Sequence, residues 1–484
     1  MRLYQKPQYV KNEPLYTQWR DLYEGDQQTL RDSKYLFLHE LETLDQGIKI
    51  RRIREQRTHY TNFIEPLVGI WTGLFFKDEP TIPDDVKAML GDEIDDIDGE
   101  GNSLVAFMRD SIARNYFIYG NPIIRVNALG DKPKTKGEES LKKFRPYLEI
   151  LNPLDVKDWK IERDDPLNLN KIIFLRYEYL DELPRARSTD AIVLQPVSKE
   201  LYLEGGKLYI QKYQLKEIKG KEVAPEKIAN ADSREWEVIG EPKELSEWDE
   251  IPIVALFNGE SWIKDIAPQA LKYHNLESVL DNIHLFQAHQ RIQAVGDNLK
   301  VSEVGFAEYC VTTWPLGTTF HVIEPTDTTA IEKRLLQVRD NLFKIALNQV
   351  KQLAGDSAGV QGAETIREER QDTIALIQSE IESLENITNK AIELYAKFKG
   401  ILNFKSEITL SREINETDLD QMSKAFLIIR DDIAKIPSLK KAAVKRFALE
   451  LDLDEDSLEE INNDIDTVFN NAKTTDAPPT ESDV

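Results

Sequence analysis

The chain has 484 residues and a formal net charge of −24, with 41% hydrophobic and 31% charged residues. This length exceeds what one hydrophobic core normally supports, so we expect a folded, soluble protein of more than one module. The acidic balance excludes a protein that grips nucleic acid over a broad basic surface, because each phosphate contact needs a lysine or an arginine. It suits a surface past which DNA slides, and the simpler interpretation is solubility alone.

Targeting and redox signals are few. Cys310 is the only cysteine, so no intramolecular disulfide forms and assembly in the cytoplasm is the default expectation. The first 28 residues are polar and predict no secretory signal. The most apolar run, Leu67–Phe76, is about half the length of a membrane-spanning helix. We therefore predict a buried helix there and no association with a membrane.

The first third of the chain reads as helical. Apolar residues recur at helical spacing over Gln18–Asp45, and further helices are predicted over Lys49–Arg57 and Ile64–Phe76. Pro83–Gly101 is acidic and predicts a loop. Ser103 is a favourable N-cap for a helix that runs to Tyr119.

A β-rich module follows Gly120. Short β-branched and aromatic runs alternate with turn residues, and Gly205-Gly206 predicts a hairpin turn. The predicted strands are Ile123–Asn127, Tyr147–Leu151, Lys171–Tyr179, Ala191–Pro196, Leu201–Leu203, Leu208–Leu215, Trp236–Val238 and Ile251–Phe257.

Long helices dominate the rest of the chain. Amphipathic spacing predicts one helix after Trp262, a second over Asp327–Leu353 and a third over Glu364–Lys399. Short strands are predicted between the first two helices. Ala354–Ala363 interrupts the pattern with three glycines, and Asn415–Asn470 predicts short acidic helices.

No catalytic, cofactor or metal motif is predicted. The phosphate-binding loop, the dinucleotide fingerprint and the nucleophile elbow do not occur in the sequence. The acidic run that begins at Asp452 resembles the start of a calcium loop, but Ser457 replaces the turn glycine and Asn463 replaces the bidentate glutamate. Three histidines fall in one helical segment at spacings that do not share a face: His274, His284 and His289.

One basic run interrupts the acidic chain. It contains Lys49, Arg51, Arg52, Arg54 and Arg57. Contact with DNA or with an acidic partner subunit is one interpretation. A solvated helix face is the interpretation we favour, because charge runs on helices usually face water.

Four short patterns occur in a characteristic order, and a long helix with Tyr273, Asn275, Leu276 and Asp281 follows them. The patterns are WTGLFFKDEP at Trp71–Pro80, FIYGNPIIRV at Phe117–Val126, RPYLEILNP at Arg145–Pro153 and IPIV at Ile251–Val254. In this order they resemble the portal proteins of tailed double-stranded DNA phages, over nearly the whole chain.

The resemblance implies an α+β portal-like fold with an α/β wing, long stem helices, a small clip and a helical crown. The clip is short for this family. The implied division is residues 1–260 wing, 261–298 stem helix, 299–326 clip, 327–353 stem helix, 354–363 tunnel loop, 364–413 wing helix and strand, 414–471 crown and 472–484 disordered tail.

The resemblance also implies a ring, expected to be a dodecamer, through which the genome is packaged and ejected at one capsid vertex of the virion. Its partners would be double-stranded DNA, terminase, the head-to-tail adaptor and the major capsid protein, and it would need no cofactor. The residues implied to face DNA are Gly355, Asp356, Ser357, Ala358, Gly359, Val360, Gln361 and Gly362. The residues implied to contact a clip partner are Trp314, Pro315, Leu316 and Gly317.

Two other functions compete with this one. The first is a virion-associated, Mg²⁺-dependent DNA-processing enzyme with scattered carboxylates, although no compact Asp/Glu motif supports it. The second is a scaffold or adaptor that binds only proteins, which the large β-rich middle disfavours. We expect a structural protein and not an enzyme.

Overall fold

A computed structural model describes residues 4–32, 34–38, 42, 47–128, 145–162, 165–179, 194–215, 235–245, 248–257, 259–288, 291–295, 319–323, 327–351 and 363–412. These residues form two compact units. The first comprises the described parts of Met1–Glu24, Phe63–Ala267 and Phe343–Val484, and the second comprises those of Gly25–Asn62 and Pro268–Leu342.

Helices and strands alternate in blocks along the chain, so the described part has an α+β fold, as predicted. The helices are α1 (Pro7–Glu24), α2 (Gln27–Leu30), α3 (Gly47–Arg57), α4 (Ile64–Phe75), α5 (Asp84–Leu90), α6 (Leu104–Phe107), α7 (Arg114–Tyr119), α8 (Ala267–Ala288), α9 (Thr329–Lys351) and α10 (Ala363–Phe398). The strands are β1 (Ile123–Ala128), β2 (Pro146–Ile150), β3 (Val156–Ile161), β4 (Leu169–Tyr179), β5 (Leu194–Glu204), β6 (Lys207–Leu215), β7 (Trp236–Glu244), β8 (Ile253–Ala255), β9 (Arg291–Val295) and β10 (Thr319–Ile323).

Helix α4 is buried, which confirms the prediction for the apolar run. Trp71 and Phe75 form an aromatic cluster with Phe117 and Trp262, and the ring centroids of the contacting pairs lie 4.9–5.9 Å apart. Edge-to-face packing of this kind adds to the free energy gained from burying the rings. The cluster ties α4 to α7 and to the segment before α8.

The predicted helix over Gln18–Asp45 is wrong in its bounds. Helix α1 ends at Glu24 because Gly25 adopts a left-handed conformation, with φ +65°, in which glycine commonly terminates helices. The short helix α2 follows, capped by Asp26, whose carboxylate accepts a hydrogen bond from the Thr29 amide at 2.8 Å.

The predicted loop over Pro83–Gly101 is also wrong in part. Helix α5 lies there, followed by a 3₁₀ turn over Gly91–Asp95. Two features stabilise the helix despite its acidic sequence. Asp84 and Asp85 occupy the first turn, where carboxylates interact favourably with the helix dipole, and the apolar side chain of Val86 is buried.

The helix predicted from Ser103 to Tyr119 is confirmed. The Ser103 hydroxyl accepts a hydrogen bond from the Ala106 amide at 3.2 Å. Between α6 and α7 the helix widens into a π-helical segment over Met108–Ala113. The helix ends at Gly120, which again adopts a left-handed conformation.

The strands of the first unit form two antiparallel sheets, with the orders β2-β1-β8 and β3-β4-β5-β6-β7. The predicted hairpin turn is confirmed, because Glu204 pairs with Lys207 and both glycines between them have positive φ. The two predicted strands Ala191–Pro196 and Leu201–Leu203 correspond to the single strand β5. Strand β3 was not predicted, since its charged residues Lys157 and Asp158 hide the alternation.

One apolar core joins the two sheets. Trp159 and Phe257 stack at its centre, with ring centroids 4.4 Å apart and an interplanar angle of 5°. The other fully buried members of this core are Tyr9, Ile123, Leu151, Val156, Leu169, Ile172, Phe174, Leu201, Leu208, Ile251, Ile253 and Ala255.

Helix α10 packs on the three-stranded sheet of the same unit. The Tyr395 hydroxyl donates to the Glu93 carboxylate at 2.8 Å and lies 3.0 Å from the Pro146 carbonyl oxygen. The chain then returns along the helix, where Asn389 bonds the backbone of Ile408. The strand implied near the end of residues 364–413 is reduced to a bridge between Thr409 and Thr81.

In the second unit the first long helix is shorter than predicted. Helix α8 ends at Ala288, whereas the prediction extended to Asn298, and the strand β9 occupies Arg291–Val295. The residues of β9 include β-branched Ile292 and Val295, which favour a strand. Strand β9 pairs in an antiparallel manner with β10.

We predict that Gly120→Ala destabilises the protein by about 3 kcal/mol, because a Cβ there would lie 2.6 Å from the Gly259 carbonyl oxygen. Gly400→Ala is the matched control. Gly400 also follows a helix with positive φ but has no atom within 4 Å of the added Cβ, so only the positive φ costs about 1 kcal/mol. Urea unfolding of both variants measures the difference, and equal losses would contradict the close approach.

Candidate functional site

The predicted DNA-facing residues lie in the connection between two described helices. Helix α9 ends at Lys351 and α10 begins at Ala363. The predicted residues Gly355 to Gly362 therefore lie outside the described residues, and their role stays a prediction. The same holds for the predicted crown, residues 414–471, and for the tail.

The predicted clip contacts, Trp314 to Gly317, also lie outside the described residues. The structure does fix where their connection begins and ends. Val295 at the end of β9 pairs with Thr319 at the start of β10. Directly opposed Cα atoms in an antiparallel pair lie about 5 Å apart, so the connection leaves and rejoins the strand pair at nearly one point.

Helix α8 is held by Asn275, one of the residues in the pattern that the sequence singled out. Its side-chain amide donates to the Tyr35 carbonyl at 2.8 Å and to the Leu271 carbonyl at 2.9 Å. Its side-chain oxygen accepts from the Phe37 amide at 2.6 Å. One buried side chain thus fixes the turn around Tyr35–Phe37 against the helix.

His274 provides a second attachment of α8. Its Nε2 lies 3.0 Å from the Leu30 carbonyl, and its ring packs edge-on against Tyr60. Burial lowers the pKa of His274, so the ring stays neutral at physiological pH and Nε2 donates to the carbonyl. His274 therefore serves packing, while His284 is exposed and lies 3.7 Å from the Glu332 carboxylate. His289 lies outside the residues whose positions are described.

Arg54 is the third attachment and a correction to the sequence analysis. The basic run was interpreted as a solvated face, but the Arg54 side chain is only 5% exposed. It donates two hydrogen bonds to Glu42, at 2.8 and 2.7 Å, and a third to the Phe37 carbonyl at 2.7 Å. A further bond of 3.4 Å reaches Ser278 on α8. The solvated interpretation holds for Arg52 and Arg57, which are exposed.

Sequence reasoning missed this role because helical spacing alone does not identify the partner of an arginine. Glu42 lies outside the helix, in the segment that was predicted to be helical. The one signal in the sequence is spacing: Thr58 follows Arg54 by four residues, which places the two residues on the same side of a helical turn. In the structure the Thr58 hydroxyl lies 2.7 Å from the Ser278 hydroxyl.

We predict that Arg54→Ala lowers the stability by about 3–5 kcal/mol, because it leaves the Glu42 carboxylate buried without its counter-charge. Arg52→Ala on the same helix removes an exposed guanidinium and should change the stability by less than about 0.5 kcal/mol. Thermal melting at one fixed protein concentration compares the two variants. Equal effects would contradict a structural role for the buried pair.

A second group of polar residues lies on α8 on either side of Ser278. Burial raises the pKa of Glu277 to about 7, and the Thr61 hydroxyl, at 3.2 Å, offsets part of that effect. Burial also raises the pKa of Asp281 and of Tyr273. Helix α8 therefore carries carboxylates that take up protons more readily than usual.

We predict that Glu277 makes the protein less stable as the pH rises. A carboxyl whose pKa is raised on folding favours the folded state only when it is protonated, so its contribution falls between the unfolded pKa of 4.5 and the folded pKa of about 7. Glu277→Gln should abolish this loss and raise the melting temperature at pH 8 but not at pH 4.5.

The matched control is Glu382→Gln, which changes an exposed glutamate on α10. It should leave the melting temperature unchanged at both pH values. The same melting temperature for Glu277→Gln and wild type at pH 8 would contradict the burial of this carboxylate.

Among the described residues, no group of three or more histidine, cysteine, aspartate or glutamate side chains is arranged to hold a metal ion. No described helix combines the length and the apolar character needed to cross a membrane. The buried polar residues of α8 instead contact backbone carbonyl oxygens and the hydroxyls of Thr58 and Thr61. These contacts hold α8 in place within the second unit.

Comparison with known proteins gives one structural neighbour to report. No family model and no curated protein matches the chain. Among solved structures, the chain is similar to one described as the neck of a native GTA particle, computed with C12 symmetry. The identity is 12%, the TM-score is 0.32, and the match covers 79% of this chain and 91% of the other. A TM-score of this size does not establish a common fold.

Proposed function

We propose that the chain is a portal protein of a tailed double-stranded DNA phage, a ring-forming structural protein at one capsid vertex. The order of elements carries the proposal. Two long helices, α8 and α9, are joined through an antiparallel strand pair, and the glycine-rich connection leads from α9 into the longest helix, α10. This order follows the implied series of stem, clip, stem, tunnel loop and wing helix.

The dimensions of the helices support the proposal. At 1.5 Å per residue the 22 residues of α8 and the 23 of α9 are each about 34 Å long, and the 36 residues of α10 span about 54 Å. The amphipathic α9 and α10 have polar faces for solvent or for neighbouring copies. Long helices of this kind suit the wall of a channel in which each copy packs on the next.

The chemistry of the connection supports a role in DNA passage. Gly355, Ser357, Ala358, Gly359 and Gly362 have small side chains. Small, uncharged residues allow the backbone to approach a moving duplex closely without holding its phosphates. The net charge of −24 acts in the same sense, since it keeps the duplex from adhering.

In this proposal the chain carries out no chemistry of its own. Its partners are further copies of itself, the DNA in the channel, the terminase, the head-to-tail adaptor and the major capsid protein. The task is mechanical: the ring gives DNA one route into and out of the head. It would be found at a vertex of the virion after assembly in the host cytoplasm.

We predict that the purified protein forms closed rings with a central hole, with a mass near twelve copies. Negative-stain electron microscopy with light scattering on the same sample measures both. A monodisperse monomer at all salt concentrations would contradict the proposal. Cleavage of plasmid DNA in the presence of Mg²⁺ would favour the DNA-processing enzyme instead.

We also predict that deletion of residues 355–362 leaves ring assembly intact but impairs the packaging or retention of DNA. The control is a deletion of equal length, residues 131–138, which should spare both, because the polar sequence of Asp131–Glu139 predicts a turn or an exposed loop. DNA protected from nuclease in assembled particles is the readout. Loss of rings on deletion of 355–362 would show that this segment is needed for assembly and contradict its role in the channel.

A further inference from the structure

The outward face of α3 combines basic and apolar side chains. Successive residues of an α-helix are rotated by about 100°, so Arg52 and Gln56 lie opposite the buried Arg54. Ile48 and Ile53 flank them and are 39% and 43% exposed. We call the residues Ile48, Arg52, Ile53, Gln56 and Arg57 the α3 face.

Apolar side chains on this face are costly in water. The two isoleucines lie on an 11-residue helix with five basic residues, and their exposure gives no favourable free energy of burial. Phe37, whose carbonyl accepts a hydrogen bond from Arg54, is 59% exposed in the same unit. Scattered apolar residues are normal at a surface, but their combination with arginine is typical of the centre of a protein interface. The composition therefore indicates a contact with protein.

A polar recess adjoins the α3 face. It has a volume of about 490 Å³. An arginine side chain can hold a carboxylate through two parallel N–H donors, and a glutamine side chain can add a single N–H···O bond. Every lining residue is polar or charged, and the set is Gln28, Arg31, Asp32, Arg51, Arg52, Glu55 and Gln56.

Not all of these guanidinium groups are free to bind a partner. Arg31 donates through Nε to the Thr58 carbonyl at 2.8 Å, and Arg51 donates through Nε to Glu55 at 2.6 Å. Both arginines are half-buried and already hydrogen-bonded. Arg52 and Arg57 form no ion pair with a described residue. The recess and the α3 face thus present guanidinium groups that lack a carboxylate.

The charge of α3 is opposite to that of the chain as a whole. The helix has five basic residues and one acidic residue, whereas the chain has 86 acidic and 62 basic residues. Several exposed carboxylates that form no ion pair with a described residue lie in the first turn of α5 and between α5 and α6, at Asp84, Asp85, Asp92, Asp95 and Glu100. A second copy of the chain therefore offers the charge that the α3 face lacks.

We infer that the α3 face binds the acidic segment Asp84–Glu100 of a second copy of this chain. The contact joins two different surfaces, so its repetition builds a ring when the rotation between neighbouring copies closes. The inference rests on the proposed ring and adds which surfaces form it. DNA is the less suitable partner, because its phosphates would meet two isoleucines and the field of an acidic chain.

The test is a charge swap on the full-length protein. Arg52→Glu/Arg57→Glu should reduce the fraction of protein in rings roughly tenfold at a fixed concentration, and Asp92→Lys/Asp95→Lys should do the same. The four substitutions combined in one chain should restore rings, since each altered surface meets its altered partner. Light scattering and negative-stain microscopy are the readouts, and circular dichroism melting verifies that each variant folds.

The control is Lys11→Glu/Lys243→Glu, which changes the net charge as Arg52→Glu/Arg57→Glu does, at exposed sites elsewhere. Rings in this control together with their loss in the α3 variant support the contact. Rings in the α3 variant overturn the contact and leave the proposed function standing. An absence of rings in the unaltered protein overturns both.

Two further outcomes would overturn the inference. The first is a combined variant that stays dissociated while both of its parents fold. The second is a loss of binding to labelled double-stranded DNA in Arg52→Glu/Arg57→Glu while its rings persist, since that result assigns the α3 face to DNA.

Discussion

The buried pair between Arg54 and Glu42 is the constraint on which the second unit depends. A guanidinium and a carboxylate removed from water are tolerated only with a full set of hydrogen bonds, and Arg54 obtains these from Glu42, Phe37 and Ser278. The pair therefore holds the segment around Phe37, helix α3 and helix α8 in one arrangement. Asn275, one turn earlier on α8, holds the same segment through hydrogen bonds to the backbone of Tyr35 and Phe37. A hydrophobic contact of equal size would hold these elements together without specifying their register.

Much of the first unit could be predicted from sequence because its signals are local. The buried helix α4, the cap at Ser103 and the Gly205-Gly206 turn depend on neighbouring residues, and the structure confirms all three. The misses have two causes. The end of α1 at Gly25 is a local glycine signal that the apolar spacing on either side of it obscures. The strand β3, with its buried Lys157, depends on contacts distant in sequence, which periodicity does not reveal.

The candidate site divides in the same way. Asn275 was singled out within a sequence pattern, and the structure gives it a task, whereas Arg54 was placed on the wrong side of its helix. The residues implied to face DNA and those implied to contact a clip partner remain predictions, because both groups lie outside the described residues. Their chemistry is readable from composition, but their positions depend on packing between copies, which one chain does not encode locally.

The pairing of Val295 with Thr319 has an evolutionary consequence. Because both ends of the connection meet at one closed pair, its length and sequence are decoupled from α8 and α9, and lengthening such a loop costs only a small amount of closure entropy. Residues 296–318 are thus free to diverge while the helices on either side keep their geometry. A connection of different length or sequence could therefore be grafted at the same two residues.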